Sequence, residues 1–250
     1  MNTIDLLQQH RSYRDFSSKP VTATTVSQLI TTAQHAATSI FLQAYSFVSI
    51  TDPKLKAKIA KITTRPFVGG NGHLFIVVAD QHRNALLAKK AQPDTDVRLL
   101  GSADRFLASV EDATLAAQTL IVAAESLGLG TVVLGSVLND TSALIELLHL
   151  PKLTMPVFGI LVGYPNSQNN LKPRLPEAAV HFENGYQEPD TYSDALQSYQ
   201  QTLQTYYQNR STNQRQTDFS QIIQGALHAT QQRTDLLRIL HQQGFLTEKD

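Results

Sequence analysis

The chain has 250 residues, with Lys plus Arg and Asp plus Glu equal at 21 each, 42% hydrophobic residues, no cysteine and no tryptophan. That is enough for a sizeable core in one or two domains, and zero net charge supplies no chain-wide field to hold nucleic acid or an acidic membrane surface. The lack of cysteine excludes thiol nucleophiles, disulfides, thiolate metal sites and dithiol redox centres, so any redox chemistry must come from a cofactor.

The N-terminus, Met1-Asn2-Thr3-Ile4-Asp5, has no basic region followed by an apolar run. No stretch reaches the roughly 18 uninterrupted apolar residues that span a bilayer. No membrane association and a cytoplasmic location are therefore expected. Residues 4–10 read as a short helix. A second starts at Pro20-Val21-Thr22 and carries Leu29, Ile30, Ala33 and Ala36-Ala37 at helical spacing. The loop between them, His10-Arg11-Ser12-Tyr13-Arg14, holds three potential cations.

The run 46–51 alternates and stops at Asp52-Pro53, as a strand before a turn does, and a helix is expected over 54–62. His73 to Ala79 is almost continuously apolar between Gly72 and Asp80, the pattern of a central strand covered on both faces. From Ala103 to Leu127 there is no Pro or Gly, and Ala116, Leu120, Ala123 and Leu127 recur on one face before Gly128, which predicts a long helix. Segments 131–134 and 156–162 read as short strands flanking a helix over 141–149. After Tyr164-Pro165 the chain turns polar and Pro/Asn-rich to about residue 190, which predicts a long loop or arm; helical patterns follow at 192–208 and 218–242. Strands alternating with helices, then helices alone, define a layered α/β or α+β protein rather than a bundle.

Several motifs fail on inspection. Gly128-Leu129-Gly130 lacks the third glycine of a dinucleotide fingerprint and lies between a helix and a following strand, the reverse of the order that aims a helix N-terminus at a pyrophosphate. Gly69-Gly70-Asn71-Gly72 is not followed by Gly-Lys-Ser/Thr and reads as a flexible turn. There is neither a His-Glu-x-x-His pair nor a Gly-x-Ser-x-Gly elbow, so metal and serine-hydrolase chemistry have no local support. What survives is a scattered set: Arg11, Ser12 and Arg14, then Ser39 and Gln43, Gly135 after a strand, and Lys172 and Arg174 in the polar arm. A phosphorylated planar cofactor needs such groups: cations for phosphate, amides and hydroxyls for ring edges, and a glycine where backbone approaches the ring.

The segments His10-Arg11-Ser12-Tyr13-Arg14-Asp15-Phe16, Pro20-Val21, Ser39 with Gln43, Glu125-Ser126-Leu127-Gly128-Leu129-Gly130 and Leu171-Lys172-Pro173-Arg174-Leu175-Pro176 together resemble the nitroreductase family of FMN-dependent oxidoreductases. The similarity is greatest to its NADPH-dependent nitroreductases and flavin reductases with a C-terminal helical extension, and it runs from about residue 4 to 245. It implies an α+β fold with a central, mostly antiparallel mixed sheet flanked by helices. Residues 1–165 would form the FMN-binding core, and 166–250 an arm and C-terminal helices completing the cofactor site and a homodimer.

By the same resemblance, Arg11, Ser12, Lys172 and Arg174 would hold the FMN phosphate, with His10 on the phosphate or ribityl chain. Arg14 would lie near flavin N1 and the C2 carbonyl, where a cation stabilises the anionic reduced ring. Ser39 and Gln43 would serve the pyrimidine edge or ribityl chain, and the backbone at Leu134-Gly135 would approach N5. Arg210 and Arg215 match positions that contact the 2′-phosphate and pyrophosphate of NADPH, for which guanidinium is suited. Two departures stand out: Ile62-Thr63-Thr64-Arg65 replaces Thr-Gly-Gly-Gln, putting Arg65 where a flavin-bonding glutamine sits, and Ser136 replaces a second glycine. The implied activity is ping-pong hydride transfer from NADPH through FMN to nitroaromatics, quinones, azo dyes or free flavin. The alternative that Arg65 and Ser136 leave open is a flavin-binding storage, transfer or redox-sensing protein with little turnover.

Overall fold

The structure, a computed structural model, describes residues 2–210, 213–228 and 233–247. The chain divides into two compact units, Met1–Ser167 with Arg233–Asp250, and Gln168–Gln232.

The first unit is built on four strands, β1 (Tyr45–Ile50), β2 (His73–Asp80), β3 (Gly130–Leu134) and β4 (Thr154–Gly163), in the order β1-β2-β4-β3 with each neighbouring pair antiparallel. Beside this wholly antiparallel sheet, an isolated parallel bridge joins Ser12 to Thr131. Around the sheet lie α1 (Thr3–Gln8), α2 (Ala23–Ala33), α3 (Pro53–Thr63), α4 (His82–Ala91), α5 (Ala103–Ser126), α6 (Thr141–Leu147) and α9 (Leu236–Gln243).

The uninterrupted apolar character of β2 follows from its two buried faces. Phe75 and Val77 pack with Leu29 of α2 and Ala113, Ala116, Ala117, Leu120 and Ala124 of α5. Leu74, Ile76 and Val78 pack on the opposite face with Ile59 of α3 and Leu144 of α6. Each such side chain, when fully buried, contributes about 1.5–3 kcal/mol. The alanines matter because they let α5 approach the sheet closely. This helix begins at Ser102, whose side chain accepts from Arg105 N at 3.2 Å, and it is followed by Gly128 at φ +76, a left-handed conformation that favours glycine. By length and composition α5 could cross a membrane. Here its apolar face is the core of the first unit.

The second unit contains α7 (Ser193–Asn209) and α8 (Phe219–Leu227), packed around Tyr199, Leu203 and Tyr207 with Leu175, Phe219 and Ile222. Asp218 starts α8 with a reciprocal capping box to Gln221. The arm is irregular apart from short 3-10 turns at Glu177–Ala179 and Pro189–Tyr192.

Two elements differ from the sequence reading. Helix α4 has no counterpart in it, because Gln81 offers no side-chain cap, Ala85 is the helix's single buried residue and Leu86 and Leu87 face outward. With so little burial there is no periodicity to detect. The helix expected over 218–242 is two helices, α8 and α9, and residues 229–232 lie outside the described residues. Helix α9 packs in the first unit, where Ile239 joins Ala79, Met155 and Phe245, whereas the division at 165/166 groups it with the arm.

Candidate functional site

The loop after α1, the Ser39–Gln43 segment, Arg65 and the strand end at Leu134-Gly135 carry the first unit's predicted site residues, and α5 anchors the first two. The first is the loop after α1. His10 Nδ1 lies 2.6 Å from Glu125 Oε1 in the last turn of α5; the carboxylate accepts, so the proton sits on Nδ1. Thr131 Oγ1 donates to the same oxygen at 3.1 Å, and Thr131 O accepts from Tyr13 N at 2.8 Å. Loop, helix end and β3 are thus joined at one carboxylate. The loop comes so close to β3 that a Cβ on Gly130 would lie 2.6 Å from the Tyr13 ring, which is why a glycine stands there.

Within this loop Arg11 donates to Gln9 O at 3.0 Å and to Gln9 Oε1 at 3.2 Å, while its buried Nε has no partner among the described residues. A buried N–H without an acceptor is costly, and a phosphate oxygen is one acceptor that would satisfy it. Arg14 is exposed. From the Thr131 contact β3 continues to the buried Leu134, and Gly135 follows with open space where a Cβ would project. At roughly 3.3 Å per residue the strand separates the loop contact from Gly135 by about 13 Å.

The second segment is Ser39–Gln43. Ile40, Phe41 and Gln43 all have positive φ, of 42°, 61° and 48°, which is strained for side chains of this size. Both ends are held by Asp112 of α5, 1% exposed, whose carboxylate accepts from Ser39 N at 2.7 Å and Ala44 N at 2.9 Å. Arg83 donates to Gln43 O and Asn84 donates to Leu42 O at 3.2 Å. Gln43 lines an open cavity of about 550 Å³ with Phe41, Tyr45 and Arg83. The two anchors, Asp112 and Glu125, stand about 20 Å apart along α5 at 1.5 Å per residue. The third segment carries Arg65, exposed after a left-handed Thr64 at φ 54. Asn139, in the turn that begins at Gly135, donates to Thr63 O at 3.4 Å, so the Arg65 segment lies beside that turn.

In the second unit the predicted cations converge on aromatic rings. The Arg215 guanidinium carbon is 4.3 Å from the Tyr207 ring centroid, that of Arg210 is 5.6 Å away, and Lys172 Nζ is 5.7 Å away. Burial pushes the Tyr207 phenol up, but hydrogen bonds and charge from Lys172 and Arg215 outweigh it and hold the phenol below its ordinary value. Tyr199 responds in the opposite direction: burial and the neighbouring Tyr207 raise it, against the lowering effect of Arg174. Lys172 therefore stands with Arg215 and Arg210, and Arg174 stands by Tyr199.

Among the described residues, none of Arg11, Arg14, Arg65, Lys172, Arg174, Arg210 and Arg215 forms an ion pair with a carboxylate; the arginines that do are Arg83, Arg98, Arg105 and Arg238. Uncompensated cations in a chain of zero net charge are the chemistry that receives phosphate groups. The sequence reading missed Asp112, Glu125 as an anchor, and Tyr207. A signal for Asp112 was present, since it falls one turn before Ala116 and Leu120 on the apolar face of α5, where a lone acid needs hydrogen-bond donors.

An antiparallel sheet backed by a long core helix, with loops presenting cations that no carboxylate pairs among the described residues, defines the class of layered α+β proteins equipped to receive an anion. The sequence model of the nitroreductase family matches residues 7–164 and that of the family's C-terminal domain matches residues 172–248. The chain belongs to the nitroreductase family. It is 36% identical over 245 residues to an "NADPH-dependent oxidoreductase" of Staphylococcus saprophyticus, covering 97% of each chain. It is also 36% identical over 221 residues to an "FMN reductase (NADPH)" of Bacillus subtilis, covering 88% of each. The solved structure of the NfrA1 nitroreductase from B. subtilis superposes with a TM-score of 0.93 at 34% identity, over 99% of this chain and 100% of that one.

Proposed function

We propose that the chain is an FMN-dependent oxidoreductase that takes hydride from NADPH and passes electrons to nitroaromatics, quinones or free flavin in a ping-pong sequence, as a cytoplasmic homodimer. The observation that carries this reading is the set of cations left without carboxylates, distributed over the segments that resemble the family's cofactor contacts. The orphaned Nε of Arg11 and the open space at Gly135 both fit a phosphorylated ring cofactor. FMN, when bound, supplies hydride acceptance at N5 and electron delivery to a second substrate.

The chain's own residues bind and orient. By the family resemblance, Arg11, Ser12, Lys172 and Arg174 would each contribute to holding the phosphate, and His10, hydrogen-bonded to Glu125, would contact the phosphate or ribityl chain. Arg14 would supply positive charge at the pyrimidine edge, the charge that suits a flavin accepting hydride. By the family resemblance, Arg65 would meet the flavin edge in place of glutamine, and the backbone at Leu134 and Gly135 would approach the ring. Ser39 and Gln43 sit on a loop whose anchor is about 20 Å along α5 from that of His10. This separation supports a site completed by a second copy of the chain. Arg210 and Arg215 bind the 2′-phosphate and pyrophosphate of NADPH.

The deciding experiment is anaerobic mixing of the purified yellow protein with NADPH. Prompt bleaching of the flavin band is expected, followed by parallel double-reciprocal lines when a quinone is varied against NADPH. Bound flavin that stays yellow would make the protein a carrier, and converging lines would rule out the ping-pong order.

A further inference from the structure

The glycine-rich turn 69–72, which the cofactor reading does not use, borders an open cavity of about 350 Å³ in the first unit. Its polar lining comes from Ser18, Lys19, Thr51, Lys56, Asn71 and His73, and no carboxylate lines it. The adjacent Asp52 has its carboxylate committed to the N-terminus of α3, where it accepts from Lys54 N at 2.9 Å. Lys56 is 9% exposed, and its ammonium donates to Gly70 O at 2.6 Å and to Gly72 O at 2.5 Å. Two neutral carbonyls use two of its three N–H groups and leave its charge uncompensated. Neither Lys56 nor Lys19 forms an ion pair among the described residues, and Lys19 lies 4.0 Å over the Tyr164 ring. Buried charges in proteins are ordinarily paired, so a buried lysine that shares a cavity with a second lysine and no lining carboxylate marks a place where an anion is stabilised.

We propose that this cavity is a binding site for a phosphate group, free or as a small monoester, gripped by Lys56 and Lys19 with Asn71, Ser18 and Thr51 as neutral donors. The hard, multiply charged oxyanion matches ammonium donors, and the cavity leaves room for an ester substituent beyond the phosphate. His73 reports the same local field: burial, and then the charge of Lys56, hold its imidazole below the ordinary range. Its Nε2 lies 3.0 Å from Ser49 Oγ. The site uses none of the residues assigned to FMN or NADPH.

The test uses FMN-loaded enzyme, so that the flavin phosphate site is filled, and follows the unfolding midpoint in inorganic phosphate, in glycerol 3-phosphate and in chloride at equal ionic strength. A phosphate-specific rise of about 3–5 °C is expected once the anion exceeds its Kd about tenfold. The larger of the two phosphate responses identifies free phosphate or the ester as the ligand. The rise should vanish in Lys19→Gln and in Lys56→Met and persist in Arg215→Ala, which separates it from anion binding at the NADPH cations. Lys19→Gln alters an exposed side chain and keeps the test valid if Lys56→Met does not fold. No phosphate-specific rise, or a rise that survives Lys19→Gln and disappears in Arg215→Ala, overturns the proposal.

Discussion

The two units hold their predicted site residues by different means. In the first, carboxylates on α5, that of Asp112 buried and that of Glu125 partly buried, reach out to backbone and imidazole: Asp112 fastens both ends of the strained Ser39–Gln43 loop, and Glu125 fastens His10 and Thr131. In the second, Lys172, Arg210 and Arg215 gather on the buried Tyr207, which gives them a π face and one oxygen but no negative partner. The carboxylate anchors spend their charge on shaping loops, whereas the aromatic anchor leaves its cations free to act on a ligand. Loop shape at Asp112 and Glu125 and free charge around Tyr207 are thus assigned to separate groups.

Removing an anchor should therefore damage the first unit's stability and the second unit's affinities. The largest effect is expected from Asp112→Ala, which strands the buried N–H of Ala44 and the part-buried N–H of Ser39 and frees a strained loop. Equilibrium urea unfolding should show a loss of about 2–5 kcal/mol; a loss below about 1 kcal/mol would mean that the loop does not depend on this carboxylate. Next, Arg174→Ala removes a cation proposed for the FMN phosphate and should weaken FMN retention about 10- to 100-fold, at about 1.5–3 kcal/mol for a hydrogen bond to a charged group. Full flavin stoichiometry after dialysis would exclude that role.

The smallest effect is expected from Tyr207→Phe, which keeps the ring and deletes the oxygen that Lys172 and Arg215 share. KM for NADPH should rise about three- to tenfold, with that for NADH nearly unchanged; equal changes would separate Tyr207 from phosphate selection. The same residue gives a pH signature. Because its phenol is held below the unfolded value, ionisation stabilises the folded chain only as pH rises through the folded-state value, and the contribution is complete above about pH 10. Absorbance titration of the tyrosines should show an early-ionising phenol that is missing from Tyr207→Phe.

Much of the fold was legible because its signals are local. Asp52-Pro53 caps α3, Ser102 and Gly128 bracket α5, and the apolar run of β2 announces a strand buried on both faces. Where local signals were weak the reading failed, as at the sparsely buried α4 and at the single helix expected over 218–242. At the candidate site the residue types were readable as a chemical inventory, but their anchors were not. Glu125 is remote in sequence from His10 and Asp112 from Ser39, and no spacing rule joins them.

From residues alone came the rule that any redox chemistry must be borrowed from a cofactor, since the chain has no cysteine, and the supply of cations within a net charge of zero. Folding decided which cations are left uncompensated. Arg98 is answered by Asp96 at 2.7 Å, while Arg11 and Arg215 have no carboxylate within pairing distance among the described residues. Net charge is a sum over the chain and carries no positions. Ion pairs and hydrogen bonds depend on separations of a few ångströms, so compensation becomes a property of the molecule only when distant segments are brought together.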